Sequence, residues 1–325
     1  MGGIQVLLRA IMSVAALAFF LSGAQAQGLS ERPITIVVPY TAGTGIDICA
    51  RVLGEELQRR WAQPVVIENK PGASGNIGTT YAAGRPADGH TLLMVANTFV
   101  TNVSLFKAIS YDPQKTFVPI ALVATGALAL AVNPKTGFDT VEALVSAAKT
   151  GAKKLTYASP GRGTPQHLSM ELFKQRTAAD LTHVPYSGSA GAVRDLVGGH
   201  VDAMFLPVHT VLPLARSGEV KVLAVASAER SKTMPDKPTL AEGGIGDSDV
   251  DLWYALLSPA GTDESVVSRI NAELNTILST PAIRKQLAEQ GLEPRGGTTA
   301  ALERLVAQDQ ARWAEVIRKA GIVAE

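Results

Sequence analysis

Short apolar segments alternate with segments of helical periodicity from residue 34 onwards. In chain order these are a strand at 34–38, a helix at 47–60, a strand at 65–67, a helix at 76–84 and a strand at 91–96. This β-α-β-α-β order is typical of a mostly parallel sheet that helices cover on both faces. The alternation therefore predicts an α/β fold.

A second series of the same kind fills the middle of the chain, and the last part returns to the first. The second series has predicted strands at 128–132, 155–158, 181–184, 203–206 and 220–226, with helices at 141–150, 168–174 and 190–197. The last part has a strand at 252–257 and helices from 264, at 282–289 and at 299–319. We predict two lobes, residues 27–127 with 253–325 and residues 128–252. Because the two crossings between them contain no flexible tether, we expect a hinged molecule with a ligand cleft between the lobes.

The first 26 residues are typical of a cleaved export signal. Arg9 precedes an apolar run at 11–21, and Ala24-Gln25-Ala26 matches a small-residue cleavage site. The run is shorter than the ~20 apolar residues that a membrane span needs. We therefore predict a mature protein that begins near Gln27 and lies in the periplasm. Its single cysteine, Cys49, can form no intramolecular disulfide.

Charge and motifs argue against several classes of function. Lys and Arg number 30 and Asp and Glu 29, so the clustered positive charge that nucleic acid or an anionic membrane requires is not expected. A dinucleotide fingerprint and a P-loop are both missing from the sequence, so no cofactor is predicted. The five histidines lack metal-ligand spacing, and no nucleophile elbow occurs. We accordingly predict neither a metal site nor an enzyme.

Three Gly-rich loops are the places where a ligand is expected. They follow predicted strands at 39–47, 159–167 and 185–191, and they are rich in hydroxyl side chains. Glycine lets backbone approach a ligand closely, and free N–H groups at a helix start attract an anion. The structural alternative is that these residues only cap helices, as Thr164 followed by Pro165 would. Asp47 is either a general base or a cap of the first helix, and as a cap it would tolerate asparagine.

The ordered motifs around these loops resemble one family throughout the predicted mature chain. The motifs are RPITIVVP at 32–39, QPVVIENKPGASGNIG at 63–78, ADGHTLLM at 87–94, GTPQH at 163–167, HVPY at 183–186 and LLSPAG at 256–261. They are similar to those of the substrate-binding receptors of tripartite tricarboxylate transporters, the Bug family. The resemblance implies a two-lobed type II periplasmic-binding-protein fold, monomeric, that holds a small mono- or dicarboxylate and delivers it to a membrane permease.

The resemblance also implies which residues bind the ligand. In that family the loop after the first strand grips one carboxylate, and further contributions come from the third strand's end and from the second lobe. The corresponding residues here are Tyr40, Thr41, Ala42, Gly43, Thr44, Asp47, Asn97, Thr98, Gly161, Arg162, Thr164, His167, Tyr186, Ser187 and Leu206.

Four residues, at three sites in the chain, depart from the family pattern. Thr44 replaces the second glycine of a usual Gly-Gly pair, and Arg162 stands where a neutral residue is common. Arg162 either reaches a second carboxylate or is solvated. Leu206 and Pro207 stand where Asp or Asn is frequent, so they either present an apolar wall to the ligand or belong to the core. The functional alternatives are a sensor that presents its ligand to a membrane receptor, and an enzyme that uses Asp47 and His167.

Overall fold

A computed structural model of the chain describes residues 32–151, 154–186, 188–248 and 250–322. The predicted export signal at 1–26 and the predicted site residue Ser187 lie outside the described residues. Within the described residues, no helix has both the length and the apolar character that a membrane crossing requires.

Strands and helices alternate as the sequence predicts. The strands are β1 Ile34–Val38, β2 Val65–Asn69, β3 Thr91–Ala96, β4 Phe117–Val132, β5 Leu155–Ser159, β6 Leu181–Pro185, β7 Ala203–Pro207, β8 Lys221–Val225, β9 Asp251–Pro259 and β10 Leu292–Pro294. The helices are α1 Gly45–Trp61, α2 Asn76–Ala83, α3 Thr98–Leu105, α4 Val141–Thr150, α5 Pro165–Thr177, α6 Ser189–Gly198, α7 Val208–Arg216, α8 Glu264–Ser279, α9 Pro281–Glu289 and α10 Thr299–Lys319.

The strands form two mixed sheets, one in each lobe. In lobe one the order is β2-β1-β3-β9-β4, and in lobe two it is β4-β7-β5-β6. The strands β1, β2 and β3 are parallel to one another, and so are β5, β6 and β7, as the β-α-β order predicts. The strands at the centre, β9 and β4, pair antiparallel with their neighbours. The two-lobed α/β fold is therefore confirmed, but the expectation of mostly parallel sheets is wrong, because β4 and β9 pair antiparallel with their neighbours where the lobes join.

The strand β4 belongs to both sheets. Residues 117–127 pair with β9, and residues 128–132 pair with β7 and β8. The change of partner falls between Ala127, opposite Asp251, and Leu128, opposite Pro207. The lobe limits 27–127, 128–252 and 253–325 stay a prediction, and this change of partner coincides with one of them.

Both faces of the lobe-two sheet are buried. Successive side chains of a strand point to opposite faces. Accordingly Leu128 and Leu130 pack into the main apolar cluster, whereas Ala129 and Ala131 pack into a second cluster with Leu206. Residues from both lobes contribute to the main cluster, which includes Leu53 and Phe173.

Candidate ligand-binding cleft

The loop after β1 leaves the start of α1 without a side-chain cap. Thr44 has the extended backbone of an N-cap residue (φ −80°, ψ 160°), but its hydroxyl donates back to the carbonyl of Thr41 at 2.9 Å. The first N–H groups of a helix have no partner within the helix itself. At α1 these donors, beginning at Gly45, therefore face the cleft without a side-chain acceptor from the N-cap residue.

Asp47 anchors this loop. It is 1% exposed, and its Oδ2 accepts from the N–H of Gly43 at 2.8 Å and from Nε of Arg51 at 2.8 Å. Its Oδ1 accepts from Nη2 of Arg51 at 3.1 Å and from Nδ2 of Asn69 at 2.8 Å. Burial alone would raise the pKa of Asp47, but these hydrogen bonds and the charge of Arg51 together lower it. Asp47, in the first turn of α1, thus fixes Gly43, whose φ of 83° favours glycine, and its carboxylate is not free to act as a base.

Tyr40 ties the loops after β1 and β2 together. Its hydroxyl donates to the carbonyl of Ser74 at 3.1 Å and pairs with the hydroxyl of Thr98. The same carbonyl accepts from Nδ2 of Asn102 at 3.0 Å. These bonds hold residues 72–75, all of which have positive φ, against the first loop. Burial raises the pKa of Tyr40 to about 12, although the hydrogen bond with Thr98 lowers it, so the side chain is a neutral strut.

Two side chains that carry no hydrogen bond face the start of α1. Tyr254 of β9 is 6% exposed, and its hydroxyl lies 2.8 Å from the position that a Cβ on Gly45 would occupy. Cε1 of His209, in the first turn of α7, lies 3.3 Å from the same position. Among the described residues, neither side chain has a hydrogen-bond partner. The hydroxyl of Tyr254, in the central strand, and the imidazole of His209, in lobe two, thus both lie close to Gly45, the first residue of α1.

The loop before α5 satisfies its own hydrogen bonds. Thr164 caps α5, because its Oγ1 accepts from the N–H of His167 at 3.5 Å, and it donates to the carbonyl of Gly161 at 2.8 Å. Nδ1 of His167 accepts from the N–H of Gly163 at 2.9 Å. The start of α5 is therefore capped by Thr164, as the structural alternative for this loop predicts. Arg162 is exposed, and among the described residues it has no hydrogen bond or ion pair.

Beneath that loop three aromatic rings stack. His167 and His183 lie 4.0 Å apart between ring centroids, and Tyr157 lies 4.8 Å from His183. Nε2 of His183 is 2.6 Å from the hydroxyl of Ser159. Burial, with the positive charges of Arg162 and Lys174, lowers the pKa of His167 to about 4. Burial and the neighbouring His167 lower the pKa of His183 to about 3.

We expect this stack to make the protein sensitive to acid. Because the folded pKa of His167 lies below its ordinary 6.5, the unfolded chain binds more protons between these values, and stability falls as the pH falls from about 6.5 towards 4. For His167 alone the full loss is about 3 kcal/mol, since one pKa unit equals about 1.4 kcal/mol. Urea unfolding at about pH 7 and about pH 4.5 measures the difference. Other groups also titrate in this range, so the loss should shrink in His167→Gln and persist in a variant of the exposed histidine, His200→Gln. Equal losses in the two variants would contradict the assignment.

Tyr186 and the start of α6 form the third loop. The N–H of Tyr186 donates to the carbonyl of Ser159 at 3.0 Å, and its hydroxyl donates to Asp195 at 2.5 Å. The N-cap position of α6 is Gly188, which has no side chain to cap the helix. The start of α6 therefore resembles that of α1 in lacking a side-chain cap.

The two lobes are in contact at both sides of this region. Gly163 of lobe two packs so closely against the side chain of Leu105, at the end of α3 in lobe one, that a Cβ on Gly163 would overlap it. The backbone N of His209 lies 3.2 Å from the Cβ position of Gly291 in lobe one. The described conformation thus places the loop at 159–167 against the end of α3, and the first turn of α7 against the turn at Gly291.

Two predicted site residues have structural partners instead. Oδ1 of Asn97 accepts from the N–H of Trp253 at 3.0 Å, and its Nδ2 is 3.4 Å from Asp309. Asn97 therefore joins α3 to β9 and α10. Leu206 is 1% exposed and packs in the second apolar cluster, which favours its core role, while its contact with a ligand stays a prediction. The half-buried Pro207 that follows it begins the turn into α7.

Sequence reasoning missed Gly45, Tyr254 and His209. The range 39–47 contains Gly45, but nothing in its spacing distinguishes it from Gly43. His209 was one of five scattered histidines, and Tyr254 lies inside an apolar strand. The one signal in the sequence was the position of His209, two residues after a strand that ends at the predicted cleft. In the described part of the chain, no group of three His, Cys, Asp or Glu residues could hold a metal ion.

Comparison with known proteins assigns the family. The model of the tripartite tricarboxylate transporter family receptor matches residues 49–322. BugT of Bordetella pertussis is 37% identical over 292 residues, which cover 89% of this chain and 90% of that protein. These matches define the class as solute-binding receptors. The chain belongs to the tripartite tricarboxylate transporter receptor family.

Solved structures agree with this assignment. A Rhodopseudomonas palustris protein solved with adipate is 34% identical with a TM-score of 0.83, covering 90% of this chain and 99% of that one. MatC from the same organism, solved with malate, is 31% identical with a TM-score of 0.78, covering 88% and 99%. The periplasmic binding protein BugD is 33% identical with a TM-score of 0.80, covering 91% and 99%.

Proposed function

We propose that this chain is a periplasmic solute-binding protein that captures a small mono- or dicarboxylate between its lobes for a tripartite-tricarboxylate-type transporter. The observation that carries the proposal is the approach of Tyr254 and His209, neither of which has a side-chain hydrogen-bond partner in the described part of the chain, to Gly45 at the start of α1. A carboxylate accepts hydrogen bonds only, and it is favoured at a helix N-terminus. The adipate and malate bound by two relatives support this ligand class.

In this proposal the loop after β1 encloses one carboxylate. Residues 41–44 supply the partly exposed wall, and Asp47, Tyr40 and Thr98 hold that wall in place.

At the opposite end of the ligand, the uncapped start of α6 and the exposed cation of Arg162 are the groups that suit a second carboxylate. Gly161, Thr164, His167, Tyr186 and Ser187 are proposed to shape that end from lobe two.

Tyr254→Phe tests the site. Because the hydroxyl of Tyr254 has no partner in the described chain, its removal should leave the free energy of unfolding unchanged or raise it slightly. Loss of one hydrogen bond to a charged ligand should weaken binding by about 1.5 to 3 kcal/mol, roughly tenfold or more. Calorimetric titration with adipate and malate, together with urea unfolding, measures both quantities.

Tyr111→Phe is the matched control. The hydroxyl of Tyr111 lies 3.1 Å from the carbonyl of Phe99 and 3.2 Å from Asn76, so its removal should lower stability and leave ligand affinity unchanged. If wild-type protein binds a carboxylate and Tyr254→Phe binds it equally well, the proposed position of the ligand is wrong.

The remaining parts of the proposal concern export, partners and catalysis. We propose that residues 1–26 are removed on export and that the mature chain acts as a monomer with a membrane permease as its partner. Both oxygens of Asp47 accept hydrogen bonds from other side chains or backbone, and Nδ1 of His167 accepts one from Gly163, which favours binding over catalysis by these residues. After prolonged incubation with the purified protein, we expect the carboxylate to be recovered chemically unchanged.

A further inference from the structure

The first turn of α7 inserts between two segments of lobe one. His209 is half-buried there, with its ring edge towards Gly45 and its backbone N near the turn at Gly291. In an imidazole, Cε1 stands between the two ring nitrogens. The edge that carries both nitrogen atoms is therefore turned towards the start of α1.

The start of α1 is more than an isolated helix terminus. The helix is 17 residues long, and the hydroxyl of Tyr254, in a residue 6% exposed, points to its first residue without a partner in the described chain. Because this hydroxyl has no partner in the described chain, it can donate to a ligand oxygen without breaking a hydrogen bond within the protein. This second observation is independent of the helix and indicates an acceptor at the same point.

We propose that His209 is the lobe-two residue that contacts the bound carboxylate, and that its imidazole takes up a proton when the carboxylate binds. This inference rests on the proposed function and adds to it a proton as a linked ligand. Without ligand a neutral imidazole is favoured, and beside a carboxylate the imidazolium gains a charge-assisted hydrogen bond.

The surroundings of His209 support a neutral state before binding. From β9 it faces the hydroxyl of Tyr254, whose pKa burial raises, and beyond that hydroxyl lie Tyr40 and Cys49, with pKa values that burial raises to about 12 each. On α1 the carboxylate of Asp47 is occupied by Arg51, and the charged residue of α7 itself, Arg216, lies in the last turn. Burial is the single cause that lowers the pKa of His209, and no described charge contributes to it.

The consequence is a dependence of affinity on pH. As the pH falls, the proton required for the bound state becomes available, and one linked proton strengthens binding by up to about tenfold per pH unit between the free and bound pKa values of His209. Adipate and malate remain largely ionised above about pH 6, so the ligand itself contributes little in that range.

Calorimetric titration of adipate and malate at about pH 6 and about pH 8 tests the inference. Wild-type affinity should rise by at least about fivefold at the lower pH. Titrations in two buffers of different ionisation enthalpy should show uptake of up to about one proton. His209→Gln keeps a hydrogen-bonding side chain but cannot become charged, so it should bind with little pH dependence and no proton uptake. His200→Gln, which changes an exposed histidine of lobe two, should behave as the wild type.

Each outcome is decisive. If the wild type binds, and its affinity is independent of pH without proton uptake, the inference is overturned whether or not His209→Gln folds. The same holds if His209→Gln retains the wild-type pH profile. If the wild type binds no carboxylate at either pH, the proposed function itself fails, and the inference fails with it.

Discussion

Gly45→Ala is expected to weaken carboxylate binding by at least about tenfold, equivalent to about 1.4 kcal/mol, while the protein remains folded. The added Cβ would stand 2.8 Å from the hydroxyl of Tyr254 and 3.3 Å from Cε1 of His209. Tyr254 is buried and has little room to move away, so the methyl group displaces the donors that converge on the ligand. The φ angle of Gly45 is not positive, and alanine is a better helix former than glycine. We therefore expect alanine at this position to cause no backbone strain.

Gly84→Ala is the control for this prediction. Its Cβ would meet only the carbonyl oxygens of Tyr81 at 3.7 Å and Thr80 at 3.9 Å, far from the cleft in the chain. Calorimetric titration should give wild-type affinity for Gly84→Ala and greatly reduced affinity for Gly45→Ala. Equal, wild-type affinity for both variants would show that the start of α1 does not receive the ligand.

Asp47→Asn is expected to lower the free energy of unfolding by about 2 to 3 kcal/mol and to weaken ligand binding as well. Each of the two carboxylate oxygens accepts two hydrogen bonds. The NH₂ group of an asparagine would therefore face two donors, whichever way the side-chain amide turned. The sequence-based expectation that asparagine is tolerated at this position assumed a capping role. That expectation changes because the N-cap residue of α1 is Thr44.

Asp263→Asn provides the comparison. Asp263 is the N-cap residue of α8, where one oxygen accepts from the N–H of Ser265 at 2.8 Å, and an amide oxygen can take its place. Asparagine and aspartate are about equally good N-cap residues, so the change should cost no more than a few tenths of a kcal/mol. Urea unfolding of the two variants compares these costs. A cost for Asp47→Asn as small as that for Asp263→Asn would show that the hydrogen bonds around Asp47 contribute little.

The sequence predicted the fold well where local pattern determines structure. The strand at 34–38 and the helix at 299–319 have the limits that periodicity gave them. The long strand β4 was predicted only at 128–132, because residues 117–127 are extended through pairing with β9, a partner distant in sequence. The three-residue strand β10 likewise depends on its pairing with β4 and has no pattern of its own.

The candidate site shows a different limit of sequence reasoning. Thr44 and Thr164 both precede helices, and local chemistry describes them alike. Both hydroxyls donate to the carbonyl three residues earlier, but that of Thr164 also accepts from the N–H of His167 at 3.5 Å, whereas that of Thr44 accepts no hydrogen bond from α1. Which helix start is available to an anion therefore depends on one hydrogen bond accepted by the N-cap hydroxyl, and the hydroxyl of Tyr254 reaches that start only through sheet pairing.

The sharing of β4 by both sheets constrains how the molecule can deform. A strand of 16 residues that is hydrogen-bonded to lobe one before Leu128 and to lobe two after it cannot act as a slack linker. Relative rotation of the lobes must therefore be a torsion distributed along a paired ribbon, which stores elastic energy and returns the lobes to a preferred angle. Because β4 belongs to both sheets, unfolding of one sheet disrupts the other, and we expect the two lobes to unfold together in one cooperative transition.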